Sequence, residues 1–325
     1  MASNQLVFPS TETVNKLIEE LNGIKWEIYQ GGDIYEHMEQ LEKKFFSRLP
    51  FMSTYLKKTP VNFTFPIKFY RVRPFSKIIN DRLICEYSYP IPKFTTENGR
   101  ANFINHPVFY ASDHPVVALL EYIQKVDDIE SFKDKEFIIS KWEIKSPGEY
   151  LFAPFFNSNL TSHNIFTKLA EFTKEEFEAL GNTVTDDEYN ALKLMNNYLA
   201  ELFLVDDKRC ISSYLAHKNI YDNPIGHCFI IYASKMVEYH GNNYAFHPNF
   251  VDTQMELKHI YKIKIDNISK DGHKFQIMNT MTSKFGVNIK GIINWVEIEN
   301  NLDNFNAAYR NDFGNEIKFR TKDNN

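Results

Sequence analysis

Cysteine is scarce in this chain. Only Cys85, Cys210 and Cys228 occur, an odd number without CxxC or metal-ligand spacing. That excludes a disulfide framework and suits a reducing compartment. The usual nucleotide fingerprints are missing as well: there is neither GxGxxG nor GxxxxGK[ST], so neither a Rossmann nor a P-loop site is supported. The 10 histidines form no HExxH or comparable cluster, and no metal is expected. No apolar run approaches the length needed to span a bilayer. The opening MASNQLVFPSTETV has neither the positive n-region nor the apolar h-region of a secretory signal. These absences predict a cytoplasmic protein that does not engage a membrane. Positive charge is not in excess either, since the net charge is -5, and generic binding to nucleic acid is disfavoured.

What is present is a large stock of core-forming residues. Of 325 residues 43% are apolar and 15% aromatic, enough to bury a substantial core and too many for a disordered chain. Ser10 is placed to cap a helix carrying Val14, Leu17, Ile18 and Leu21 on one face. After the break at Gly31 and Gly32, a second stripe runs through Ile34, Met38, Leu41, Phe45 and Leu49. Residues 1–60 therefore read as a helical N-terminal extension closed by a turn-like KKTP. From Phe63 the texture changes to short β-branched and aromatic runs, FTFPIKFYRV, PVFYAS and EFIISKWEI. A helix from His114 to about Val126, capped by Asp113, separates the last two. Residues 160–220 read as a helical insertion in which the acidic run Asp186 to Glu188 complements a helix start. Strand texture returns in HCFIIYAS and ELKHIYKIKI. Residues 61–265 form the expected central domain, and 266–325 a β-rich C-terminal extension packed on it. The fold class is α+β.

Several residues carry chemistry. Arg71 lies on an apolar strand, where a guanidinium is costly unless it meets an anion or a carboxylate. It suits either a structural ion pair or a bidentate phosphate clamp, and Arg73 competes for the role from the same strand face. Glu121 flanks an apolar helix stripe, as a solvated residue or as a carboxylate that stabilises an oxocarbenium ion or activates an attacking hydroxyl. Tyr110 ends a strand and suits stacking on a flat cationic ring, although buried strand tyrosines are common. Ser234 either terminates its strand or orients a ligand amide or ribose hydroxyl. Arg100 and Asn102 lie in a turn-like GRAN segment of the kind that covers a ligand.

Taken in order, FYRVR, NGRANFINHPVFYASDHPVVALLEY and IIYASKMVEYHGNNYAFHPNF resemble the RES domain family, over about Phe63 to Ile265. The resemblance implies an ADP-ribosyltransferase-like fold, split β-sheets around a cleft that takes NAD. It also implies a bacterial toxin that consumes NAD by phosphorolysis or hydrolysis of the nicotinamide–ribose bond and is neutralised by a cognate antitoxin. Carried over by position, Arg71 would hold the NAD phosphates, Tyr110 would pack near the nicotinamide, Glu121 would be the catalytic carboxylate and Ser234 the third signature residue. Arg100 and Asn102 would line the NAD-binding loop. The chain departs from the family pattern at NGRAN, at Ala233 where a proline often stands, and in its helical additions.

NAD is thus the expected substrate, with inorganic phosphate as one acceptor and a homodimer as one assembly. Two alternatives stay open at this point. One is ADP-ribosyl transfer to a protein or nucleic-acid target, motivated by the helical additions. The other is a nucleotide-sensing module without turnover, which has less need of a carboxylate at Glu121.

Overall fold

A computed structural model describes residues 8–45, 56–61, 67–123, 129–158, 160–161, 164, 166–167, 173–179, 183–205, 209–222, 229–268, 275–283, 292–297 and 309–314. Leu49, Phe63, Val126 and Cys228 lie outside the described residues. The helices are α1 (Thr11–Gly23), α2 (Ile34–Phe45), α3 (Pro115–Ile123), α4 (Lys174–Ala179), α5 (Asp186–Leu202), α6 (Arg209–Ile220) and α7 (Pro248–Gln254). The strands are β1 (Lys57–Val61), β2 (Lys68–Pro74), β3 (Phe109–Ser112), β4 (Glu136–Ile144), β5 (Gly148–Phe155), β6 (Phe229–Ala233), β7 (Asn242–Phe246), β8 (Met255–Ile268), β9 (Phe275–Ser283) and β10 (Trp295–Glu297). The fold is mixed α+β. It divides into two compact units, the first comprising Met1–Lys58, Ile91–Pro107 and Leu151–Ala233, the second Thr59–Pro90, Val108–Tyr150 and Ser234–Asn325.

In the first unit α1 starts where Ser10 Oγ accepts the Thr13 amide at 3.3 Å, and it buries Val14 and Leu21. Gly31 and Gly32 adopt φ of 102° and 105°, a region that disfavours any side chain, which is why the helical pattern breaks there. The stripe of α2 is buried at Ile34, Met38, Leu41 and Phe45. A capping box between Thr185 and Glu188 opens α5, so two otherwise orphaned amides are satisfied reciprocally. Phe152–Phe155 of β5 pairs in parallel with Phe229–Tyr232 of β6. Parallel neighbours need a long crossover, and α4, α5 and α6 supply it. The helices of 160–220 are thus the connection that makes this strand pair possible, in the same unit as α1 and α2.

KKTP is not a turn: Lys57–Val61 is β1, an edge strand, where Pro60 can sit without breaking an internal ladder. Charged and proline residues hid it from a reading based on β-branched texture.

The second unit holds an antiparallel sheet in the order β7-β3-β2-β4-β8-β9-β10. β8 runs past Ile265 to Ile268 and pairs with both β4 and β9. The boundary expected at 265/266 therefore cuts a continuous strand, and the C-terminal strands extend the central sheet. Helix α3 covers one face. Its Leu119 and Ile123 pack with Phe137, Ile139, Tyr261 and Ile263, all completely buried, each worth about 1.5–3 kcal/mol in apolar transfer.

Candidate functional site

Arg71, Tyr110, Glu121 and Ser234 all belong to the second unit. Seven residues of β2, Lys68 to Pro74, pair with β4, and four of β3 pair with β7, yet β2 and β3 pair with each other only at Tyr70↔Ser112. Next to that pair lies Arg71, whose Nη1 donates to the Tyr110 carbonyl at 3.0 Å and whose guanidinium lies 5.3 Å from the Phe109 ring centroid. Its Nε is buried without a hydrogen-bond partner. No carboxylate pairs with Arg71 among the described residues. Burial, then the like charge of Arg73, pushes its pKa down to about 9, so it remains a cation at neutral pH. The strand's other guanidinium is engaged, with Arg73 donating to the Glu86 and Lys77 carbonyls and lying 3.7 Å from the Glu86 carboxylate. The structure therefore separates the two arginines that strand position left equivalent.

Glu121 is placed by helical spacing. Val117 and Leu120 of α3 pack on Val237, and Glu121 follows on that flank, one turn after Val117. Its Oε1 accepts two hydrogen bonds, from Ser234 Oγ and from Asn243 Nδ2, both at 2.7 Å. Ser234 is fully buried. The loop it opens is closed on itself, with the Ser234 amide donating to the Gly241 carbonyl at 2.8 Å and the Tyr239 amide to the Ser234 carbonyl at 2.9 Å. Glu238 and Tyr239 adopt φ of 49° and 65° within it, the left-handed region that costs energy for residues with a Cβ. Gly241 ends the loop because a Cβ there would lie 2.8 Å from Val117 Cγ2. Ser112, opposite Asn243 in the β3–β7 register, donates to Asn243 Oδ1 at 2.7 Å.

The expected helix cap is differently built. Asp113 does not cap α3; its carboxylate accepts from the Asn242 amide at 3.0 and 3.1 Å and from Asn242 Nδ2 at 2.7 Å. The Val116 amide donates instead to His114 Nδ1 at 3.2 Å. Burial pushes that imidazole down to about 4, leaving the nitrogen able to accept. Burial likewise pushes the Asp113 carboxyl up, from 3.8 to about 6, against the lowering effect of the Asn242 bonds.

A folded pKa above the unfolded one means the folded state holds the proton more tightly. Stability from this group is thus greatest below pH 3.8 and falls as the pH rises to about 6, by roughly 3 kcal/mol. We predict that the unfolding free energy of Asp113→Asn gains on that of the wild type over this window. Urea titrations at stepped pH would measure it, and a pH-independent difference would contradict the assignment.

Tyr110 is half-buried on the β3 face that also carries Ser112. Arg100 and Asn102 belong to the first unit. Asn102 spends its amide on the Glu97 and Phe103 carbonyls at 3.0 and 3.1 Å, which shapes the loop from within. Sequence reasoning missed Ser112, Asp113 as an acceptor, and Asn243. The signal available was NNYAF itself, since two asparagines open a strand otherwise apolar and asparagine is depleted in strands. Among the described residues no group of His, Cys, Asp and Glu is arranged to hold a metal ion, and no helix is long and apolar enough to cross a membrane. Neither a known protein-family profile nor a curated protein matches this chain.

Proposed function

We propose that this protein cleaves the nicotinamide–ribose bond of NAD, as its resemblance to the RES domain family implies. The observation that carries the reading is the 2.7 Å hydrogen bond between Ser234 Oγ and Glu121 Oε1. The resemblance assigned both residues to one site, although 113 positions separate them in the chain. A further feature supports it. Arg71 is a half-buried cation whose buried Nε has no hydrogen-bond partner and which no carboxylate pairs among the described residues, the state of a guanidinium reserved for an anionic ligand such as a pyrophosphate.

Nicotinamide departs from NAD as a neutral molecule, taking the electron pair of the C1′–N bond, so no acid is needed. Positive charge develops on the ribose. Glu121 stabilises it, with the carboxylate held by Ser234, while Arg71 holds the phosphates. A new C1′–O bond then forms to phosphate or to water. If water attacks, its proton passes through Glu121 to solvent.

Incubation with NAD, with and without inorganic phosphate, tests the reading: released nicotinamide supports it, and the second product identifies the acceptor. Unchanged NAD would refute it. Arg71→Met is expected to raise KM on the order of 10²-fold, because a charge-assisted phosphate contact is lost. The same variant should melt no lower than the wild type without ligand, since it removes a half-buried cation that no carboxylate pairs among the described residues. A large fall in thermal stability would mark Arg71 as structural instead.

A further inference from the structure

We propose that Asn243, held by Ser112, is a positioning residue that fixes the Glu121 carboxylate for the reaction. This rests on the function proposed above and adds a residue that the sequence pattern did not assign.

Asn243 stands opposite Ser112 across the β3–β7 ladder, so their side chains share a face. That face is the one α3 presents Glu121 to. Both partners are nearly inaccessible, Ser112 at 3% and Asn243 at 4% relative exposure. A buried amide must be satisfied at both ends, and this one is: Oδ1 accepts from Ser112 Oγ and Nδ2 donates to Glu121 Oε1, each at 2.7 Å. The orientation is forced, because a flipped amide would set its oxygen against a carboxylate oxygen. Asn243 therefore behaves as a one-way relay that presents only a donor to Glu121. Ser234 donates to the same oxygen from the opposite segment of chain. Two donors converging on Oε1 from separate elements restrain where that oxygen sits more tightly than a lone serine would. Neighbouring Asn242 is tied to Asp113 through backbone and side chain, so the strand bearing Asn243 is itself anchored.

A relay of this kind acts on the transition state, so Asn243→Ala should lower kcat on the order of 10²-fold and leave KM within about twofold. Ser112→Ala, which frees the amide without removing it, should lower kcat less. Asn243→Asp is the discriminating variant: it keeps the shape and the Ser112 bond but sets a second carboxylate against Glu121. The acidic limb of the kcat profile should then move up by more than about one pH unit. Wild-type kcat and profile in these variants, or a lower kcat with an unmoved limb in Asn243→Asp, would overturn the proposal. Should the wild type fail to cleave NAD, the proposed function falls. The relay is then decided by 13C NMR titration of the Glu121 carboxyl, where an unchanged midpoint in Asn243→Asp overturns it and a raised midpoint supports it.

Discussion

Glu121→Gln is expected to slow nicotinamide release on the order of 10³-fold with KM nearly unchanged. The exchange is isosteric, so the helix flank formed by Val117 and Leu120 on Val237 is undisturbed. The side chain retains an oxygen able to accept from both Ser234 and Asn243, the two donors that now converge on Oε1. What disappears is the negative charge beside the ribose as the C1′–N bond loosens. Removing one preorganised electrostatic group typically costs about 10²–10³ in kcat, and a full charge in a half-buried site belongs at the upper end. Binding is expected to survive because Arg71, not Glu121, meets the phosphates in this scheme. Nicotinamide release followed by chromatography gives kcat and KM separately, with the melting temperature as a check on folding. Turnover at the wild-type level would remove Glu121 from the mechanism. A rise in KM at constant kcat would recast it as a binding group, since a loss shared by ground and transition states leaves kcat alone.

The same residues show how far the sequence could lead. Glu121 was legible because helical periodicity fixes which flank it occupies, and Ser10, Gly31 and Gly32 because caps and left-handed glycines obey local rules. β1 was not, because its KKTPV run takes its strand state from the sheet and not from its own composition. Asp113 was misassigned for a related reason: it has the chemistry of a cap, but Asn242 of a distant strand offers it more donors than the helix does. The choice between Arg71 and Arg73 turned on Glu86, which only tertiary structure brings to Arg73. Contacts between residues far apart in the chain, such as Asn243 with Glu121, leave no periodicity to read.

The largest expected effect on stability lies at Asp312, within the stretch 266–325 that the sequence reads as a β-rich C-terminal extension. Its side chain is 1% exposed on a helical turn at 309–313. Oδ1 accepts from Lys141 Nζ at 2.8 Å, Oδ2 accepts from the Tyr261 hydroxyl at 2.6 Å, and Lys68 Nζ lies 3.5 Å away. Phe313 stacks on Tyr309 at 4.1 Å and meets the Tyr261 ring edge-on at 5.2 Å, so the turn is seated on β8. Burial alone would raise the Asp312 carboxyl, but the bonds from Lys141 and Tyr261 and the charges of Lys141 and Lys68 outweigh it and hold the group below the ordinary carboxylate range. A depressed folded pKa gives stability that is present above the unfolded value and lost as the pH falls through the folded one. Asp312→Ala strands the Lys141 cation and the Tyr261 hydroxyl, and breaking a buried pair in this way costs about 3–5 kcal/mol. Glu143, 3.5 Å from Lys141, takes up part of the charge, which places the expectation at the lower end. Urea unfolding at pH 7 should show that loss, and the gap to wild type should close in strong acid, where the carboxylate is protonated. Adding Lys141→Met to Asp312→Leu should recover most of it, because the penalty comes from the unpaired charge. Failure of that rescue would mean the turn is held by Phe313 and Tyr309 packing instead. The ion pair also borders the site: the Asp312 charge, after burial, raises the Tyr70 hydroxyl's pKa, and the strand partner of Tyr70 is Ser112. A destabilised turn should therefore weaken catalysis through Ser112 and Asn243 before the sheet unfolds.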